Sequence, residues 1–145
     1  MTFEQREAQV PEEIRRDPLW KSQGYQLSLF LGDLAWPDAM KLVKNRLCLA
    51  KADQLYRAAS NISSNVTEGY SRSSPADRAR FYEYALGSVR ETRDWYYKAR
   101  RILSEKVVNH RIGLSSELIA ILVAMITNER RRHRRIGKRS PDTES

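Results

Sequence analysis

The sequence predicts an all-α fold, an antiparallel up-down-up-down bundle of four helices. Three observations lead there. Apolar residues recur at 4,3 spacing along four long stretches, the seam of packed helices. No strand-like alternation bounded by turn residues occurs, and glycine and proline are sparse at six and five residues. The connections between stretches are short, so neighbours in sequence become neighbours in space. With 145 residues, 41% of them hydrophobic and 30% charged, the chain has the composition of one globular domain. It is long enough to bury a core without disulfide support.

The first helix is expected to start at Asp17-Pro18, a cap followed by proline at the first helical position. Its stripe is Trp20, Gly24, Leu27, Leu31 and Leu34. It should stop near Trp36-Pro37, where the proline ring clashes with the preceding turn, leaving Asp38 to cap a second helix. That helix carries Cys48, Ala52, Leu55, Ala59, Ile62 and Val66, with Gly69 ending it in the left-handed conformation. Ser74-Pro75-Ala76-Asp77 then restarts a helix, with Ser74 as cap and Asp77 facing the exposed amides. The third stripe is Phe81, Ala85, Ser88, Thr92, Trp95, Ala99 and Ile102. A second apolar line runs beside it through Tyr82, Leu86, Val89 and Tyr96, so this helix packs on more than one neighbour.

The fourth helix has two start signals, Ser104-Glu105 and Ser115-Ser116-Glu117. Val108, Ile112, Ser115, Ile119, Leu122 and Ile126 keep one register across Gly113. An interior glycine costs only about 1 kcal/mol, so a single helix from about Ser104 to Arg132 is the reading adopted. Domain boundaries follow: a loose polar N-terminal extension over residues 1–17, interrupted by Pro11, the bundle over 18–135, and a loose basic and polar tail over 136–145.

The residues exclude most chemistry. A single cysteine, Cys48, allows no internal disulfide, and His110 and His133 are the only histidines, so no metal site is expected. Neither histidine follows a glutamate by three positions, as a di-iron bundle requires. The Arg–His pair of HEPN-type bundle ribonucleases is missing too: residues 103–105 before His110 are Leu, Ser and Glu, and 126–128 before His133 are Ile, Thr and Asn. No phosphate-binding glycine-rich loop occurs. No catalytic residue and no cofactor is therefore assigned. The longest apolar run, Leu118 to Ile126, has nine residues where a membrane span needs about twenty. With no signal-peptide pattern, a cytoplasmic protein without a membrane partner is expected.

Charge is the positive signal. The net charge is +8, and residues 129–145 hold seven basic and three acidic groups. Polyanions are the natural partners of such a surface. Three basic sets stand out. Arg130, Arg131, Arg134 and Arg135 ring a helix end, Arg72, Arg78 and Arg80 flank the helix 2–3 corner, and Arg90, Arg93, Lys98, Arg100 and Arg101 interleave with Trp95, Tyr96 and Tyr97. Each has a plainer reading as a solvated or ion-paired surface, and in the third set that reading makes Trp95 core and Tyr96 a subunit contact. The first two sets are the candidate nucleic-acid-binding residues. Asn65, Glu68 and Gly69 form a polar corner expected to satisfy backbone groups and set the register of the bundle.

One long segment is recognisable. Gln54-Leu55-Tyr56-Arg57-Ala58-Ala59, then Ile62-Ser63-Ser64-Asn65-Val66-Thr67-Glu68-Gly69-Tyr70-Ser71-Arg72, then Arg80-Phe81, Ala85-Leu86-Gly87-Ser88 and Glu91 closely resemble the family of proteins encoded in 23S rRNA intervening sequences. That family includes the accessory variability proteins of diversity-generating retroelements. Ser63 stands where the family usually has proline, and the stretch from Trp36 to Asp53 is longer. The resemblance implies a bacterial four-helix bundle assembled as a ring or barrel, typically a homopentamer, and in its accessory members a reverse transcriptase and nucleic acid as partners. The function expected is thus a non-enzymatic oligomeric bundle binding structured RNA or DNA through a basic surface. The alternative is a protein–protein interaction scaffold.

Overall fold

A computed structural model describes residues 2–138; positions 139–145 of the expected tail lie outside the described residues. The described chain is all-helical, without a strand. Two short helices, α1 (Phe3–Gln9) and α2 (Glu12–Arg16), precede a 3-10 turn over Pro18–Lys21. Four long helices follow: α3 (Gln23–Leu42), α4 (Leu49–Tyr70), α5 (Pro75–Lys98) and α6 (Glu105–Lys138), with a second 3-10 turn over Arg46–Cys48. Each long helix packs on the next, and α3 also meets α6. The core along their shared axis includes Leu31, Leu42, Leu55, Ile62, Val66, Val89, Tyr96, Leu118 and Leu122, all essentially sealed from solvent.

The α4 stripe is buried as the spacing predicts, with Ala52, Leu55, Ala59, Ile62 and Val66 at 0–1% exposure. Cys48 is its cap residue rather than its first turn. Ser74 caps α5 by accepting from the Asp77 amide at 3.1 Å. Of the two starts weighed for the last helix, Ser104 is used: its hydroxyl accepts from the Val107 amide at 3.2 Å. α6 then runs unbroken through Gly113 to Lys138, a rod of about 50 Å at 1.5 Å per residue. Residues 136–138 are therefore helix rather than tail.

Several expectations are corrected. Residues 1–17 are not loose. Thr2 and Gln5 form a reciprocal capping box, a signal present in the sequence. Phe3 also sets its ring edge-on to Phe30, 5.5 Å between centroids. At the other end of this segment Asp17 does cap, but it caps the 3-10 turn through the Leu19 amide, while Ser22 caps α3.

Pro37 does not end the first long helix. It lies exposed in the interior of α3, where its missing N–H costs one intrahelical bond to the Asp33 carbonyl. Burial of Asp38, Ala39 and Leu42 in the following turn offsets a proline penalty of about 3 kcal/mol.

On α5 the buried face combines members of both apolar lines. Tyr82, Ala85, Val89, Thr92, Tyr96 and Ala99 are buried, whereas Phe81, Ser88 and Trp95 are half-buried and Ile102 is exposed. The buried face takes Ala85, Thr92 and Ala99 from one line and Tyr82, Val89 and Tyr96 from the other, so neither line as spaced in the sequence is the core face. Tyr96 is core and Trp95 peripheral.

Gly69 has no positive φ, since none occurs among the described residues. Its role is close approach. A Cβ there would stand 2.7 Å from Cε1 of buried Tyr82 and 3.1 Å from Cβ of Phe81. Gly113, by contrast, would place a Cβ in open space. Gly69→Ala is therefore expected to destabilise by about 1–3 kcal/mol through overpacking, while Gly113→Ala stabilises by about 0.5–1 kcal/mol through helix propensity. Urea midpoints of the two variants check this; shifts of the same sign would contradict the close-approach role.

Candidate nucleic-acid interface

The helix end formed by the α4–α5 corner and the last turns of α6 gathers the residues singled out from sequence, and most of its charge is compensated there. Arg78 turns inward. Its Nε donates to Glu129 Oε2 at 3.0 Å, and its Nη1 donates to the carbonyls of Arg72 and Ser73, each at 3.0 Å. Arg72 pairs with Glu68 at 3.0 Å and lies over the Phe81 ring; Arg80 pairs with Asp77 at 3.4 Å and covers the same ring. On α6, Arg130 pairs with Glu83, and Arg132 reaches back to Glu129 Oε1 at 2.8 Å. Arg131, Arg134 and Arg135 are exposed and carry no ion pair among the described residues. They project on the last turns of α6, past the level at which Glu129 meets α5.

The expected polar corner is corrected. Asn65 is half-buried and donates only to the Asn61 carbonyl of its own helix at 2.9 Å, and exposed Glu68 pairs within α4. Neither bridges helices. Between α4 and α5 the register is set instead by the bare Gly69 backbone against Tyr82.

The two buried carboxylates that bridge helices, Asp38 and Glu129, were not assigned that role from sequence. Asp38, 2% exposed, sits where the ends of α3 and α5 meet the start of α6. Its Oδ2 accepts from Tyr96 Oη at 2.7 Å and from Arg111 Nε at 2.8 Å. Burial, then the charge of Asp38, raise the Tyr96 pKa well above the usual phenol value, so the hydroxyl is a permanent donor. Burial and the neighbouring Arg111 lower the pKa of His110, whose Nδ1 lies 2.7 Å from Arg111 Nη1. At the opposite end Glu129, 6% exposed, does the same work between α5 and α6. A signal for both existed. Asp38 continues the series Leu27, Leu31, Leu34 once α3 is allowed past Pro37, and Glu129 continues Leu118, Leu122, Ile126.

The third basic set is also partly compensated. Lys98 pairs with Asp94 at 2.6 Å, and Arg100 lies over the Tyr97 ring at 4.2 Å. Arg93 donates to Ser116 at 3.2 Å, while Glu91 accepts from Trp95 rather than from an arginine. Among the described residues no cluster of three metal-ligating side chains occurs. Guanidinium groups without ion-pair partners among the described residues are thus concentrated on the α6 arm.

The family model described as 23S rRNA-intervening sequence protein matches residues 35–124 of the chain. This span holds Asp38, Tyr96 and Arg111 and stops before the α6 arginines. A solved structure from Bacteroides thetaiotaomicron, a protein of unknown function from the S23 ribosomal protein family, is similar with a TM-score of 0.67 and 21% identity. The similarity covers 71% of this chain and 97% of that one, and at this identity it is a likeness of fold. No curated protein matches.

Proposed function

Because this chain belongs to the 23S rRNA-intervening sequence protein family, we propose that it is a non-enzymatic, antiparallel four-helix bundle that oligomerises and binds structured RNA or DNA through phosphates. The observation that carries the reading is the α6 arm, where Arg131, Arg134 and Arg135 are exposed and without carboxylate partners among the described residues. Dipole compensation at a helix C-terminus does not need that many cations, and their mutual repulsion at i,i+4 weakens the helix unless an anion neutralises it. The contacts are to the backbone and carry no base readout. Assembly would repeat the arm in each subunit and multiply weak contacts by avidity. The strip Ser116, Ala120, Val123, Ala124 and Thr127 along α6, exposed and uncharged, supports a subunit contact on that helix. The names of both the family and the solved relative refer to the ribosome or its RNA, which makes structured RNA the first ligand to test.

Fluorescence anisotropy against a structured RNA across a salt series tests the reading. For about five neutralised phosphates, affinity falls roughly 10²–10³-fold between about 50 and 200 mM salt. Arg131→Ala/Arg134→Ala/Arg135→Ala should reduce the log–log slope by about 2–3. Absence of binding at low salt, or binding indifferent to salt, refutes the proposal. The scaffold alternative draws on the compensated α4–α5 corner. It predicts a protein free of 260 nm absorbance after mild washing and an arm variant with unchanged partners.

A further inference from the structure

The opposite end of the molecule is more cationic than sequence order suggests, because two distant loops meet there. The α3–α4 turn brings Lys44, Arg46 and Lys51, and the α5–α6 turn brings Lys98 and Arg101. Between them lies a cavity of about 380 Å³ lined by Lys51, Lys98, Arg101, Asn45, Leu47 and Ile102. Lys98 is held by Asp94; Lys51 and Arg101 have no ion pair among the described residues. The first turn of α4, which forms one wall, has no side-chain cap, so its end of the helix dipole is uncompensated. Leu47, 87% exposed, and Ile102, 38% exposed, give the rim an apolar surface left open by the described residues.

We propose that this pocket binds the terminal phosphate of a nucleic-acid strand, with the first nucleotide's sugar and base against Leu47 and Ile102. The two uncompensated cations on one cavity, Lys51 and Arg101, match a phosphomonoester, which carries close to two charges at neutral pH, better than an internal diester carrying one. The volume lies in the range of small-molecule sites, about 300–1,000 Å³, and accommodates a nucleotide rather than a bare anion. The proposal deepens the nucleic-acid reading and rests on it for the strand, while the phosphate site itself stands on the pocket.

The test uses the full chain and one structured hairpin RNA with single-stranded ends, prepared with a 5′-phosphate, a 3′-phosphate or hydroxyl at both ends. Wild type should bind one phosphorylated form at least about tenfold tighter than the hydroxyl form, the scale of one charge-assisted hydrogen bond. Lys51→Ala/Arg101→Ala should erase that preference and keep the residual affinity. The triple α6-arm variant should lower affinity for all three RNAs and keep the preference. Equal affinity for all three RNAs in wild type overturns the proposal while leaving the arm intact. If no RNA binds, the nucleic-acid reading fails; the pocket is then decided by titration with adenosine 5′-monophosphate. Binding lost in Lys51→Ala/Arg101→Ala upholds a phosphate site, and no binding removes it. Unchanged thermal melts of the double variant establish that it folds.

Discussion

Asp38→Ala is expected to lose about 3–5 kcal/mol of folding stability, the cost of removing one partner from a buried ion pair. That is a large part of the roughly 5–15 kcal/mol that holds a domain of this kind together. The carboxylate is 2% exposed and accepts from both Tyr96 and Arg111. Its removal leaves a guanidinium that is only 13% exposed with His110 Nδ1 as its one remaining side-chain neighbour, and strands a fully buried hydroxyl. Replacing the whole set, Asp38→Leu/Tyr96→Phe/Arg111→Met, should recover most of the loss, because an apolar core of similar volume needs no compensation. Urea denaturation of the single and triple variants checks this. A triple variant as unstable as Asp38→Ala would mean that shape, not charge pairing, governs this end of the molecule.

Glu129→Ala is expected to cost about 2–3 kcal/mol, less than Asp38→Ala because Arg78 keeps two backbone acceptors. It has a second, functional consequence. Glu129 neutralises Arg78 at 3.0 Å and Arg132 at 2.8 Å, so its removal frees two cations beside the α6 arm. Polyanion affinity at low salt should rise, with the log–log salt slope steeper by about one to two. Glu129→Gln should give the same steepening at a smaller stability cost, since the amide oxygen still accepts. If either variant binds RNA more weakly while remaining folded, the α6 end is not the phosphate-binding face.

The helices themselves were legible in the sequence. The α4 stripe, the Ser74-Pro75 start of α5 and the continuity of α6 across Gly113 follow from 3.6-residue periodicity and capping chemistry, which act within one or two turns of chain. Family resemblance pointed the same way, and the match over residues 35–124 places the chain where Gln54 to Arg101 suggested. The misread elements are those where a tertiary contact outweighs a local rule. Pro37 reads as a stop because the penalty is local, yet the turn beyond it buries Asp38 against Tyr96 and Arg111, more than fifty residues away in sequence. Trp95 and Tyr96 are equally plausible core residues until a neighbour selects one face.

The candidate surface divides in the same way. By itself the sequence determined that the chain is helical, rich in arginine and without catalytic or metal-binding groupings of the usual spacing, because those properties reside in composition and in residues a few positions apart. Only the tertiary structure decided which cations are available. Arg78 is spent on Glu129, fifty-one positions away, while Lys51 and Arg101 share a cavity that no stretch of sequence contains. Electrostatic pairing depends on distance in space, and folding sets that distance by packing apolar stripes without regard to where the charges fall along the chain.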